Sequence, residues 1–119
     1  MLRTNSKKVR EAIRDYIKYN TTDYDYDEMP ADFESAREIV KNSYYNEVGK
    51  WLERSVSRYD AFETWTQGLP STLNCSYYLS SAVELLGNIL EETPAERERF
   101  TEIEAEKLMT KLIYRELFQ

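Results

Sequence analysis

The chain has 119 residues with three Gly and three Pro, which suits a single domain and disfavours a fold built from many turns. It contains no His, one Cys and no Gly-rich phosphate loop, so it lacks the usual residues of acid–base, zinc-dependent and nucleophilic catalysis. Its net charge of −6 disfavours direct binding to nucleic acid and favours a protein partner with a basic surface. We therefore predict a binding protein that is not an enzyme and needs no cofactor.

The sequence also bears on location. The N-terminal segment has no apolar run of the signal-peptide type, and no stretch approaches the roughly 18 apolar residues of a membrane helix. The lone Cys75 has no second Cys with which to form an intramolecular disulfide, and it is interpreted as a small core residue. We expect a cytoplasmic protein that does not associate with membranes.

The first predicted helix follows Ser6, which is a suitable cap, and ends near Asn20. Residues 21–31, rich in Asp and Tyr, are predicted to form an acidic loop. A second helix begins near Ala31 or Asp32 and runs to about Tyr45. The following residues to 55 also have a helical pattern, so the sequence is compatible with one long bent helix or with two short helices.

Ser57 is a suitable cap for a third helix, and the residues 67–74 predict a helix stop and turn. A fourth helix is predicted from about Cys75 to Glu92. The residues Thr93-Pro94-Ala95-Glu96 form a strong start signal, because a capping Thr precedes Pro and is followed three residues later by Glu. They predict a long C-terminal helix over 94–117. The expected fold is all-α, a compact bundle of four or five helices with little or no sheet, in one helical domain over 1–119.

Charge is unevenly distributed along the chain. Residues 1–20 carry six basic and two acidic side chains, whereas residues 21–34 carry six acidic side chains and no basic one. Residues 91–106 carry seven Glu against two Arg. The acidic blocks are the predicted surface for a basic partner, with two Tyr as anchors. The predicted partner-binding residues are Asp23, Tyr24, Asp25, Tyr26, Asp27, Glu28, Glu91, Glu92, Glu96 and Glu98.

The first acidic block also has the ligand spacing of a calcium-binding loop. Asp23, Asp25 and Asp27 fall at positions 1, 3 and 5 of twelve residues, and Glu34 falls at position 12. Glu28 occupies position 6, where such loops need Gly for a sharp turn. A calcium-responsive binding module is therefore an alternative to a solvated or partner-binding acidic loop.

The segment FETWTQGLPSTLN has two interpretations. In one, Trp65 and Leu69 belong to the core, Gly68 and Pro70 end a helix, and Ser71 or Asn74 caps the next. In the other, Trp65, Leu69 and Pro70 form an exposed binding patch.

This F-x-x-W-x-x-G-L-P-S pattern resembles a family of small uncharacterised proteins carried by bacteriophages and mobile elements. The matching positions are Phe62, Trp65, Gly68, Leu69, Pro70, Ser71 and Asn74, and the resemblance is firm over about 25 residues. The chain departs from it in the Glu-rich start of its last predicted helix. No activity is assigned to this family. The resemblance implies a bacterial host cell and raises one class of function, the acidic inhibitors that imitate DNA and block a host defence such as a CRISPR or restriction complex.

The last predicted helix supports one further alternative. Its second half, KLMTKLIYRELF, has apolar residues around much of its circumference. A helix of this kind is either central in its own domain or faces a second chain. A structural homodimer with this helix at its interface is therefore also open.

Overall fold

The computed structural model describes residues 1–21, 30–68 and 81–119. The helices in these ranges are α1 (Lys7–Asn20), α2 (Phe33–Tyr44), a π-helical segment (Tyr45–Gly49), α3 (Lys50–Leu52), α4 (Arg58–Gly68), α5 (Ala82–Ile89), α6 (Pro94–Arg97) and α7 (Glu102–Phe118). No β-strand lies in the described ranges, so the all-α prediction is confirmed. None of the helices found there combines the length and the apolar character that a membrane span requires.

The chain divides into two compact units, Met1–Tyr16 with Cys75–Gln119 and Ile17–Asn74. We call them unit 1 and unit 2. In unit 1, α5 packs against α6 and α7. Its core lies among α1, α5 and α7 and consists of the buried side chains of Val9, Ile13, Ala82, Leu86, Leu90, Ala105, Met109, Leu112, Ile113 and Leu117.

Unit 2 has a core rich in aromatic residues. The helical run from Phe33 to Leu52 is continuous, and the π-helical segment lies within it. The described core residues of this unit are Ile17, Ala36, Val40, Tyr44, Val48, Ala61, Phe62 and Trp65. Gly49 is needed at the end of the π-helical segment, because a Cβ there would lie 2.8 Å from a ring carbon of Tyr45 and 2.9 Å from one of Tyr44.

Several predicted helix starts are confirmed by their caps. The Val9 N–H donates to the Ser6 hydroxyl (3.1 Å), the Ser35 N–H to the Asp32 carboxylate (2.8 Å), and the Asp60 N–H to the Ser57 hydroxyl (3.1 Å). At Thr93 both hydrogen bonds of a capping box are present, with Glu96 as the second residue.

Two predicted boundaries are wrong. The helix predicted from about Cys75 to Glu92 is not continuous, because Ser81 has extended backbone angles and its side chain caps α5 at the Glu84 N–H. Residues 75–80 lie outside the described residues. The helix predicted over 94–117 is two helices, α6 and α7. Helix α6 ends at Arg97, and Thr101 is extended and accepts from the Glu104 N–H, so α7 has its own N-cap. Six helices are therefore described, when Phe33–Leu52 is counted as one, rather than four or five.

Helix α5 ends with a residue in the left-handed region. Glu91 has a φ of 54°, and no other non-Gly residue in the described ranges has a positive φ. The Glu92 N–H donates to the Gly87 carbonyl (2.8 Å) and the Glu91 N–H to the Asn88 carbonyl (3.2 Å), which is the Schellman arrangement at a helix end. This position normally favours Gly, because a Cβ there is strained.

Glu91→Gly is expected to stabilise unit 1 against urea relative to Glu91→Ala by about 1 kcal/mol, since only Gly relieves the left-handed strain. Both variants lose the same surface ion pair, that between Glu91 and Lys8 (2.5 Å). The comparison therefore cancels the contribution of that pair, which is small in any case. Equal unfolding midpoints for the two variants would show that Glu91 carries no backbone strain.

Candidate partner-binding site: an acidic groove in unit 1

The first predicted acidic cluster lies outside the described residues, as Asp23, Tyr24, Asp25, Tyr26, Asp27 and Glu28 all fall in 22–29. Glu34 is described. It is exposed in the first turn of α2 and pairs with Arg37 at 3.4 Å. Across the described ranges, no group of three or more Cys, Asp or Glu side chains is arranged to hold a metal ion. The hypothesis of a calcium-binding loop therefore depends on the spacing of its acidic residues in the sequence alone.

The second predicted cluster is described in full, and most of it takes part in the fold. Glu91 pairs with Lys8, and Glu96 completes the capping box and lies 3.8 Å from the N-terminal amine. The prediction that Glu92 contacts a partner is wrong. Its side chain is 1% exposed and pairs with Arg99, because the turn after α5 directs it into the protein. Glu98 is exposed, and its contact with a partner stays a prediction.

Glu98 lies on an open groove at the N-terminal ends of α5 and α7. The groove has a volume of about 360 Å³ and is lined by Ser81, Val83, Glu84, Pro94, Arg97, Glu98, Phe100 and Glu102. Three of these side chains are carboxylates, and Arg97 is the one cation among them. Val83, Pro94 and Phe100 supply apolar surface between the charges. The groove therefore combines excess negative charge with an apolar lining.

The two helix starts are tied together at the groove. The Glu102 carboxylate accepts hydrogen bonds from the Ser81 hydroxyl (2.5 Å) and from the Ala82 N–H (2.8 Å). Thus the first residue of α7 also caps α5. The hydrogen bond from Ser81 is the largest cause that holds the pKa of Glu102 below its ordinary value. Burial acts in the opposite direction, and the backbone N–H groups of Ala82 and Val83 lower the pKa further.

Arg97 is held in place by α5. Its Nη2 donates to Asn88 Oδ1 (2.8 Å), its Nε to the Glu92 carbonyl (3.3 Å), and its Nη1 lies 3.5 Å from Glu84 Oε2. The stem of Arg97 lies directly over Gly87, where a Cβ would lie 2.6 Å from Arg97 Cδ. Arg97 is therefore held by contacts within the protein, while the side chain of Glu84 beside it remains 70% exposed.

Glu84 is not among the predicted site residues, because its place in the groove depends on the packing of α5 against α7. The sequence did contain a local signal: Ser81-x-x-Glu84 is the spacing of a helix start. That signal places Glu84 in the first turn of a helix, but it does not show that Glu98 and Glu102 line the same groove.

The aromatic motif belongs to the core of unit 2 where it is described. Phe62 and Trp65 are both fully buried, and their rings lie 6.0 and 5.7 Å from that of Tyr44. Trp65 Nε1 donates to the Glu47 carboxylate (2.5 Å). Helix α4 ends at Gly68, in agreement with the predicted helix stop. The exposed-patch interpretation is wrong for Trp65, while Leu69, Pro70, Ser71 and Asn74 lie outside the described residues.

The apolar half of the last helix is also largely buried within the chain. Met109, Leu112, Ile113 and Leu117 belong to the core of unit 1. The apolar surface that motivated the homodimer hypothesis is therefore mostly covered by the chain itself.

The described residues thus form an all-helical protein with an open acidic groove on unit 1. Comparison of the chain with protein-family models, with curated proteins and with solved structures finds no match.

Proposed function

We propose that this chain is a small acidic interaction protein that acts by stoichiometric binding to a protein with a basic surface. The acidic groove carries this proposal. Glu84, Glu98 and Glu102 offer carboxylates, while Val83, Pro94 and Phe100 offer apolar surface. A Lys or Arg side chain has the complementary character, with an apolar stem and a cationic head.

The energetics favour a charged ligand over an apolar one. Glu84 and Glu98 are exposed, so they do not lose hydration until a partner covers them. Hydrogen bonds keep Glu102 ionised, since its pKa lies below the ordinary value. A partner cation would meet two excess negative charges. Such complementarity gives specificity and fast association.

The biological setting follows from the resemblance and the charge. We place the protein in the cytoplasm of a bacterial host, as a product of a bacteriophage or mobile element. A net charge of −6 suits an inhibitor that occupies the nucleic-acid-binding surface of a host defence machine, such as a CRISPR or restriction complex. In this proposal the acidic segment 23–28 also takes part in binding, and the protein acts without catalysis.

The test begins with capture of a partner from host lysate at low and high salt, followed by mass spectrometry. The captured protein is then purified and titrated with this chain at several salt concentrations. We expect one nucleic-acid-binding protein whose affinity falls as salt rises, because ions screen exposed charges. A partner whose affinity is independent of salt would contradict the proposal.

A matched pair of variants locates the interface. Glu84→Lys with Glu98→Lys reverses two groove charges, whereas Asp15→Lys with Glu38→Lys makes the same change in net charge at exposed positions of α1 and α2. We expect the groove variant to bind about tenfold or more weakly and the control to differ far less. Equal losses for both variants would mean that only net charge matters and that the groove is not the site.

A further inference from the structure

A second charged feature of unit 1 has the opposite sign and is independent of the proposed function. Lys7, Arg10 and Arg14 follow one another on α1 at spacings of three and four residues, which places them on the same face of the helix. They line an open pocket of about 430 Å³ together with Asn5 and Glu11. Like charges at these spacings destabilise a helix unless something compensates them.

The compensation comes from Glu116 on α7, whose side chain is fully buried. It accepts hydrogen bonds from Arg10 Nε (3.2 Å), Arg14 Nε (2.8 Å) and Arg115 Nε (3.1 Å). Arg115 is further fixed by a bond from its Nη2 to the Thr4 carbonyl (2.8 Å). One carboxylate thus orients three guanidinium groups.

One carboxylate cannot neutralise this cluster. The cluster holds four cations, Lys7, Arg10, Arg14 and Arg115, against the two carboxylates of Glu11 and Glu116, so it has a net charge of +2 within a chain of net charge −6. Arg10 is 41% exposed, and among the described residues no hydrogen bond uses its two terminal nitrogens. Arg10 therefore presents a guanidinium edge that is oriented but not occupied.

We propose that this pocket binds a phosphoryl oxyanion, either free phosphate or a phosphate monoester. The planar guanidinium fork matches the oxygens of a phosphoryl group in pairs. Arg10 is oriented by its Nε contact with Glu116, so little order is lost on binding. Lys7 adds a flexible charge and Asn5 an uncharged amide donor at the rim. The net negative charge of the chain selects a small anion over a nucleic acid, whose extended backbone the acidic segments would repel.

The test is an NMR titration of the full chain with inorganic phosphate and, separately, with adenosine monophosphate, at an ionic strength held constant with chloride. We expect saturable shifts of the backbone amides of residues 5–14 and of the Arg10 Nε–H. Tighter binding of the nucleotide would assign the pocket to monoesters, and tighter binding of inorganic phosphate would assign it to the free anion. Equal shifts with chloride alone, or no saturation with either ligand, would overturn the proposal.

Two pairs of variants distinguish binding at this pocket from nonspecific electrostatic attraction to the protein. Lys7→Gln with Arg10→Gln is expected to weaken phosphate binding about tenfold or more, because it removes charge-assisted bonds. Lys107→Gln with Lys111→Gln, at exposed positions of α7, makes the same charge change and is expected to leave binding unchanged. Equal weakening in both pairs would overturn the proposal.

Two further measurements address loss of folding in the double variant and binding of carboxylates in place of phosphate. The Lys7 side chain is 91% exposed and does not contact Glu116, so Lys7→Gln is expected to fold normally and a weaker affinity in it reports on the pocket. A short poly-glutamate peptide is titrated in parallel. If the peptide saturates the pocket while phosphate does not, the site accepts the carboxylates of a partner protein and the phosphoryl assignment is wrong.

Discussion

Replacing Glu116 with Gln is expected to lower the free energy of unfolding by about 3 kcal/mol, as measured by urea denaturation. The side chain is fully buried, and its carboxylate accepts hydrogen bonds from Arg10, Arg14 and Arg115. Removing one partner of a buried ionic cluster leaves the others without compensation, which costs more than the pair itself contributes. Part of the cost is recovered because Arg10 and Arg14 can turn toward water, being 41% and 47% exposed.

The matched control is Glu98→Gln, which removes the same charge from an exposed position of the same unit. Its expected effect on the free energy of unfolding is within about 0.5 kcal/mol. If Glu116→Gln were as mild as Glu98→Gln, the three-arginine cluster would contribute nothing measurable to stability.

The effect of Glu116→Gln depends on pH in a defined direction. Burial raises the pKa of Glu116, but hydrogen bonds from Arg14, Arg115 and Arg10 outweigh burial and hold it below the ordinary value of 4.5. A lowered folded pKa stabilises the protein above the unfolded pKa, and this stabilisation is lost as the pH falls through the folded value. The stability difference between wild type and Glu116→Gln should therefore be constant above 4.5 and shrink below it. A difference that grows on acidification would contradict the assignment.

Replacing Trp65 with Ala is expected to lower the free energy of unfolding by about 3–5 kcal/mol, the range for a large buried side chain. Trp65 is fully buried between Tyr44 and Phe62, with ring centroids 5.7 and 5.8 Å away. The loss includes aromatic contacts and the hydrogen bond from the indole to Glu47. Circular dichroism during urea denaturation gives the free energy directly.

The chain contains its own control for this prediction, since Trp51 is 57% exposed. Its indole Nε1 donates only to a backbone carbonyl, that of Glu47, at 3.1 Å. Trp51→Ala should cost about 1 kcal/mol or less. Fluorescence gives a second readout: Trp65→Phe leaves a tryptophan open to iodide quenching, whereas Trp51→Phe leaves one that is shielded. Similar quenching in the two variants would place Trp65 at the surface.

Local signals account for what the sequence predicted well. Helix starts at Ser6, Asp32, Ser57 and Thr93 depend on a side chain that caps a backbone N–H two or three residues away, so the information is contained in four adjacent residues. The interruption at Thr101 follows the same rule, because Thr101-x-x-Glu104 repeats the spacing of Thr93-x-x-Glu96. The prediction of one helix over 94–117 does not take this second cap into account.

Charge in the sequence did not identify which carboxylates are at the surface. Glu92 and Glu98 look equivalent in a Glu-rich run, yet one is buried against Arg99 and the other lines the groove. The difference comes from the left-handed turn at Glu91, which directs the next side chain inward. Nothing in the residues next to Glu116 predicts that its side chain is buried.

Composition and local patterning alone determined that this protein is all-helical, acidic and without histidine chemistry, and where most of its helices begin. They did so because helix propensity, capping and periodicity act over a few residues. Only the tertiary structure decided that Trp65 is core, that Glu84 lines one groove with Glu98 and Glu102, and that Arg10 and Arg14 converge on a carboxylate more than 100 residues later. Such contacts depend on how helices pack, and the residues around a side chain do not predict which distant side chain it will contact.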